Sequence, residues 1–197
     1  MDCLEGMAQF PDKYFDLAIV DPPYGSDDIT RTGGTWANKI DGGYKIKEWD
    51  FKPKQEYFTE LFRISKHQII WGGNYFGLPP NRHFIIWKKH VPEKFTVGMC
   101  EYAWSSLNEN PKVFEYPSNN QFMRFHPTQK PVQLYKWILH NYAKPDFKII
   151  DTHAGSCSSV IAFLDYGCDW IAFEIDKDYY EAASKRIEIH KAQLKLF

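Results

Sequence analysis

Phe15-Asp16-Leu17-Ala18-Ile19-Val20-Asp21-Pro22-Pro23-Tyr24-Gly25 is the stretch that decides the fold. Leu17 to Val20 is a short, unbroken apolar run stopped by two prolines. A half-exposed strand alternates apolar and polar residues; an unbroken run is covered on both faces, as in a parallel sheet. Covering both faces takes helices above and below. Working outward, the pattern predicts a helix over 56–66, with Phe58, Leu61, Phe62 and Ser65 on one side. A strand over 68–71 ends at Gly72-Gly73-Asn74. Strands over 83–89 and 99–106 pair as a hairpin. Residues 107–125 are polar and Asn-rich and show no element. An amphipathic helix spans 131–143, with Leu134, Tyr135, Ile138, Leu139 and Tyr142 on one face. A strand over 148–151, a helix over 157–166, a strand over 170–175 and a closing helix over 178–195 complete the chain. Strands alternating with helices predict an α/β sheet.

The 197 residues fit one domain, 1–197, that buries a core without staples. Lys+Arg is 24 and Asp+Glu is 25, a net charge of -1. That excludes attachment to nucleic acid or membrane through overall positive charge, so any polyanion contact comes from a local patch. Aromatic residues make up 17% of the chain, enough to supply stacking surfaces beyond the core. Cys3, Cys100, Cys157 and Cys168 form no C-x-x-C and no zinc spacing, so they read as free thiols in a reducing cytosol, with no metal. There is no signal pattern and no apolar run near the ~18 residues of a membrane span, so the expectation is a cytoplasmic protein without a membrane partner.

Two loops carry chemistry. Asp21 stands where a buried parallel strand ends, which is where open α/β sheets place ligands. Pro22 and Pro23 lack N–H groups, so the turn offers a stiff row of acceptors beside the carboxylate. Acceptors suit a ligand group carrying two hydrogens, such as an exocyclic amine, and Tyr24 can stack on a flat ring. A rigid turn with Asp21 as a cap is the plainer reading of the same residues. The second loop runs Asp151-Thr152-His153-Ala154-Gly155-Ser156-Cys157-Ser158-Ser159, strand to small-residue turn to helix. Such a turn lets a ligand approach the backbone at a helix N-terminus. Glu174 follows Gly155 by 19 residues, the distance at which an acidic residue reaches ribose hydroxyls. By itself this segment reads first as a plain tight turn. Between the two lies His126-Pro127-Thr128-Gln129-Lys130-Pro131, where Thr128 can cap the next helix and Lys130 can attract a carboxylate.

Together, Asp21-Pro22-Pro23-Tyr24, His126 to Pro131 and Asp151 to Ser159 resemble an amino-group DNA methyltransferase of the β group, which uses S-adenosylmethionine. Asp2-Cys3-Leu4-Glu5-Gly6-Met7 is similar to that family's N-terminal stretch. The resemblance implies a Rossmann-like methyltransferase sheet, mostly parallel with one antiparallel hairpin strand. It also implies a circularly permuted motif order, catalytic before cofactor. It assigns the target amine to Asp21 and the Pro22 carbonyl, with Pro23 in the same turn, and base stacking to Tyr24. The cofactor would meet Asp2, Cys3, Asp21, Thr128, Lys130, Asp151, His153, Gly155, Ser156 and Glu174. This chain departs from the family's Asp-Pro-Phe-x-Gly-Ser-Gly-Thr at Thr152, His153, Cys157 and Ser158.

The partner implied is double-stranded DNA, with the adenine N6 amine as target. Basic residues beside the motifs, Arg31, Lys39, Lys45, Lys47, Lys88, Lys89 and Arg124, are the candidates for phosphate contact. Residues 26–54 read as a loop, in which Trp36, Tyr44 and Trp49 can wedge or clasp, and 107–125 as a short recognition region. That region is short for a specificity domain, so a homodimer is one way to supply further contacts. The same motifs suit a cytosine-N4 enzyme, an adenine-N6 RNA enzyme, or a catalytically impaired relative that binds nucleic acid. An NAD-dependent oxidoreductase fits poorly, because the glycine fingerprint is absent.

Overall fold

The computed structural model describes residues 1–25, 51–94, 98–118, 125–126 and 128–194. Among them seven strands form one sheet: β1 (Phe15–Val20), β2 (Ser65–Trp71), β3 (Phe84–Lys88), β4 (Cys100–Ser105), β5 (Lys112–Glu115), β6 (Lys148–Asp151) and β7 (Asp169–Ala172). Their order is β5-β3-β4-β2-β1-β6-β7. Every neighbouring pair is parallel except those made by β4, which runs against both β3 and β2. The sheet is therefore mostly parallel with one antiparallel strand, as expected.

Among the described residues five helices cover the two faces: α1 (Cys3–Met7), α2 (Gln55–Ile64), α3 (Val132–Tyr142), α4 (Ser158–Tyr166) and α5 (Lys177–Leu194). The unbroken run in β1 is buried from both sides, and its alternate residues separate into two cores. Leu17 and Ile19 join Ile69, Trp71, Ile85 and Ile149 against α3 and α4. Ala18 and Val20 join Ile70 and Ile150 against α1 and α2. Removing each of the Leu, Ile and Val side chains from water contributes about 1.5–3 kcal/mol, which favours the central position of β1. At the far end of the sheet, Asp16 ties the central strands together. Its carboxylate accepts from Lys66 Nζ at 2.7 Å and from the Lys148 amide at 2.9 Å.

Three elements differ from the sequence reading. Residues 107–125 contain β5, a half-exposed edge strand parallel to β3. A four-residue edge strand among polar residues carries too short an alternation to announce itself. Helix α1 was not foreseen; Asp2 caps it, its Oδ1 accepting from the amides of Leu4 at 2.8 Å and Glu5 at 3.3 Å. Five residues are too few for a periodicity. The last strand stops at Ala172, so Glu174 stands in a loop beyond it. Residues 26–50 lie outside the described residues, as do 119–124. No helix among the described residues is long and apolar enough to cross a membrane.

Candidate active site

The parallel strands β1, β2, β6 and β7 end at one edge of the sheet, and the loops that leave them face one another. Because β4 runs the other way, its first residues lie at this same edge: Glu101 pairs with Trp87 at the end of β3. The edge thus gathers Asp21 from the β1 end, the Gly72 turn from β2, residues 152–157 from β6, Glu174 from β7 and Glu101 from the start of β4.

Asp21 is the first residue beyond β1. Its Oδ1 accepts the Tyr24 hydroxyl at 2.8 Å, and its Oδ2 accepts Lys130 Nζ at 2.5 Å. Burial raises the Asp21 carboxyl above its ordinary value, and the Lys130 ammonium opposes that rise. Pro22 is buried beneath the turn. The Tyr24 ring stacks on Tyr75, centroids 4.9 Å apart and planes 19° from parallel, and meets Phe76 edge-on. Gly72 lets that ring approach: φ there is +67°, and a Cβ would lie 2.1 Å from Tyr24 Cε1. Tyr75, on the single 3-10 turn Gly73–Tyr75, is 40% exposed.

Lys130 is buried, and its ammonium also lies 3.0 Å from Glu101 Oε2. Glu101 Oε1 in turn meets Lys89 Nζ at 2.5 Å. Burial alone would raise the Glu101 carboxyl, but the two lysines override it and hold it at about 2. Burial alone would lower the Lys130 ammonium, but Asp21 and Glu101 hold it above its ordinary value.

The second loop is also organised around a carboxylate. Asp151 accepts the Ser159 hydroxyl at 2.5 Å and the His153 amide at 3.0 Å. Burial pushes its carboxyl up to about 7. Tyr57 Oη and Thr152 Oγ1 lie 2.6 Å apart, and Thr152 Oγ1 is 2.9 Å from His153 Nδ1. Burial lowers the His153 imidazole to about 4, so it is neutral at pH 7. Glu174 Oε2 accepts the Gly155 amide at 2.7 Å, and its Oε1 accepts the Asp176 amide at 2.8 Å. His126 packs over Gly155, where a Cβ would lie 3.2 Å from its Nε2. Arg186 Nη1 donates to the Ser156 carbonyl at 2.7 Å. Cys157, at the N-cap of α4, has φ +56°.

Several sequence-predicted residues meet here. Asp21, Pro22, Pro23, Tyr24 and Lys130 share one cluster, and Asp151, His153, Gly155, Ser156 and Glu174 share the adjacent one. Asp2 uses its carboxylate on α1, and Cys3 Sγ is 4.0 Å from His153 Nε2, beside the second cluster. One expectation needs correction. Thr128 does not cap α3: the N-cap is Pro131, and the Thr128 hydroxyl is 3.3 Å from His126 Nδ1 instead. Lys89, a candidate for phosphate contact, pairs its ammonium with Glu101. Lys88 is exposed and pairs with Glu115 at 3.1 Å. Arg31, Lys39, Lys45, Lys47 and Arg124 lie outside the described residues, as do Trp36, Tyr44 and Trp49. Sequence reasoning missed Glu101, Tyr57 and Tyr75. For Glu101 a signal existed, a lone acid in the run Met99-Cys100-Glu101-Tyr102-Ala103-Trp104, but only the strand's direction gives it meaning.

A site with a buried carboxylate, acceptor-only proline backbone and a stacked tyrosine can hold an amine-bearing flat ring. Glu174 can still hold hydroxyls: a carboxylate has about four lone-pair positions, and the Gly155 and Asp176 amides use two of them here. Comparison with known proteins points the same way. The DNA methylase family model matches residues 85–185, a span that includes Glu101, Lys130 and the second loop. YubD of Escherichia coli (strain K12), which carries a methylase designation, is 27% identical over 211 residues, covering 94% of this chain and 87% of its own. The crystal structure of the M1.HpyAVI–SAM complex has a TM-score of 0.61 at 21% identity, covering 94% of this chain and 96% of that one. The PvuII DNA methyltransferase, described as cytosine-N4-specific, has a TM-score of 0.60 at 15% identity, covering 93% and 83%. At such identities the two structures speak for the fold.

Proposed function

This chain belongs to the DNA methylase family, whose model spans just over half of it, and from that premise we propose that it transfers a methyl group from S-adenosylmethionine to the N6 amine of adenine in double-stranded DNA. One methyltransferase domain does this, with loop 26–54 and a short recognition region within 107–125 meeting the nucleic acid. The observation that carries the reading is Asp21-Pro22-Pro23-Tyr24 at the end of β1, with its carboxylate held by Tyr24 and Lys130.

The adenine amine is a poor nucleophile because its lone pair is delocalised into the ring. Accepting its two hydrogens at Asp21 and at the Pro22 carbonyl draws them out of the ring plane and frees the lone pair. Each Asp21 oxygen has a second lone pair for this after serving Tyr24 or Lys130. Tyr24 supplies the stacking face. Reaching the site requires the base to leave the duplex, at a cost of a few kcal/mol for unstacking. When bound, S-adenosylmethionine supplies a methyl group on a positively charged sulfur. Glu174 fits its ribose hydroxyls, and the turn around Gly155 fits close approach of its backbone-facing side. As the new N–C bond forms at the expense of the sulfur–methyl bond, which leaves a neutral thioether, the N–H held by Asp21 becomes acidic, and its proton passes to Asp21 along that hydrogen bond. Orientation and fixed acceptors supply the acceleration.

The test is transfer of labelled methyl to DNA and to RNA, with the modified base identified by mass spectrometry. N6-methyladenine in DNA is expected, and Asp21→Ala should lose about 100-fold or more, the usual cost of removing one preorganised group. N4-methylcytosine as product would overturn the adenine assignment, and transfer to RNA alone the DNA assignment. Full activity in Asp21→Ala would remove the assigned centre. Failure to bind S-adenosylmethionine in calorimetry would leave a nucleic-acid-binding relative.

A further inference from the structure

Four charged side chains alternate in sign along the catalytic edge. Asp21 meets Lys130 at 2.5 Å, Lys130 meets Glu101 at 3.0 Å, and Glu101 meets Lys89 at 2.5 Å. The side chains are 15%, 3%, 25% and 13% exposed in that order, so none is an ordinary surface pair. The Lys130 ammonium also lies 5.3 Å from the centroid of the Trp71 ring, which fixes its approach to Asp21. These residues come from four places in the chain: the β1 end, the β3 end, the start of β4 and the segment before α3. Only the antiparallel course of β4 brings Glu101 to this edge.

We propose that Lys130 and Glu101 are positioning residues for Asp21: Lys130 keeps the buried carboxylate ionised and oriented, and Glu101 holds back part of that ammonium so that Asp21 remains a strong acceptor. The proposal rests on the reading of Asp21 as the amine acceptor. The physical need is plain. A carboxylate withdrawn from water tends to take up a proton, and a protonated acid has lost half of its acceptor function. A lysine shared with no second carboxylate would cure this too well, because a fully neutralised carboxylate is a weaker acceptor. Glu101 divides the ammonium, and Lys89 balances Glu101.

Other groups face Asp21 and act in known directions. The Tyr24 hydroxyl donates to it and favours the ionised form. Asp151 at the end of β6 lies close enough for the Asp21 carboxylate to help raise its carboxyl. Tyr57 on α2 and Tyr135 on α3 also face it, and both phenols are held neutral by burial. Neither Lys130 nor Glu101 is replaced in function by any of these.

The experiment titrates Asp21 directly, by the 13C chemical shift of carboxyl-labelled aspartate in the full chain, with Asp21→Asn to assign the signal. Lys130→Met should move the Asp21 midpoint upward by about 1–3 pH units, the range for loss of one close opposite charge. Lys130→Arg should return it toward wild type. Glu101→Gln should move the midpoint downward, because a repelling carboxylate is gone and Lys130 is released to Asp21. The acid limb of the kcat/KM profile should follow in the same two directions, and Glu101→Gln should also lower kcat. S-adenosylmethionine affinity should stay within a few-fold in Glu101→Gln. An unmoved Asp21 midpoint in either variant overturns the proposal, as does an upward move in Glu101→Gln. Loss of cofactor binding in Lys130→Met with no change at Asp21 would assign Lys130 to the cofactor instead. The titration needs no methyl transfer: shifted midpoints in a protein that transfers nothing would sink the functional reading and leave the charge chain standing.

Discussion

Cys157 carries a left-handed backbone with φ +56° where the resembling family has glycine. For a residue with a Cβ that conformation costs roughly 1–2 kcal/mol. Its thiol is buried, and burial pushes it up to about 12, so it is a packed group and not a nucleophile. Cys157→Gly removes the strain but also the buried thiol and adds freedom to the unfolded chain, so stability should change by only about 1 kcal/mol either way. The Cβ beside the cofactor turn disappears at the same time, and S-adenosylmethionine should bind several-fold tighter in calorimetry. Cys157→Val should behave oppositely, because a β-branched residue does not take positive φ, and should lose roughly 1–3 kcal/mol in urea unfolding. Equal stability of the Gly and Val variants would show that the left-handed conformation is absent.

The turn after β2 is the element on which the placement of Tyr24 depends, and its two glycines do different jobs. Gly73 sits against β4: a Cβ would lie 2.4 Å from Trp104 Cβ and 3.0 Å from its amide nitrogen. Trp104 is paired to Ile70 on one side and Phe84 on the other, so it has nowhere to go. Gly73→Ala should therefore cost about 1–3 kcal/mol, the usual range for overpacking, read as a lower urea midpoint. At Gly72 the neighbour is the Tyr24 ring, which can swing away. Gly72→Ala should lose methyl transfer through loss of the Tyr24 hydroxyl from Asp21, and its left-handed φ of +67° adds roughly 1–2 kcal/mol of backbone strain, read as a lower urea midpoint. A wild-type midpoint in Gly73→Ala would contradict the close packing of turn on strand. Neither job is visible in the string Trp71-Gly72-Gly73-Asn74, which says only that a strand ends.

At the scale of the whole molecule, the pH dependence of stability follows from groups buried in the second loop. Asp151 titrates at about 7 against an ordinary 3.8. The folded state binds that proton more tightly than the unfolded one, so the Asp151 contribution to stability is full below pH 3.8 and falls until about pH 7. His153 works the other way. Its imidazole is lowered from 6.5 to about 4, so its contribution is present above pH 6.5 and is lost as pH falls to about 4. The two slopes oppose one another across most of the same window. Asp151→Asn should gain on wild type in thermal midpoint as pH rises from about 4 to about 7. His153→Gln should gain on wild type as pH falls from 6.5 to about 4. Parallel midpoint curves for wild type and either variant would show that the group is not titrating from a buried site.

The sequence by itself determined the α/β class, the order of the main strands and helices, and the two loops proposed to hold the chemistry. It could do so because both-face burial leaves an unbroken apolar run in β1, and because Asp21-Pro22-Pro23-Tyr24 and the turn around Gly155 are contiguous in the chain. Local periodicity did not reach α1 or β5, which are too short to repeat their pattern. What only the tertiary structure decided is the company each charge keeps. The Asp21–Lys130 pair spans 109 residues, and Glu101 joins it solely because β4 runs antiparallel between β2 and β3. The same geometry pairs Lys89 with Glu101. The antiparallel turn from β3 to β4 was legible as a hairpin, but that the hairpin docks β4 beside β2, and so brings Glu101 to the edge of Asp21, is set by hydrogen-bonded pairing of distant segments, which no spacing along one segment encodes.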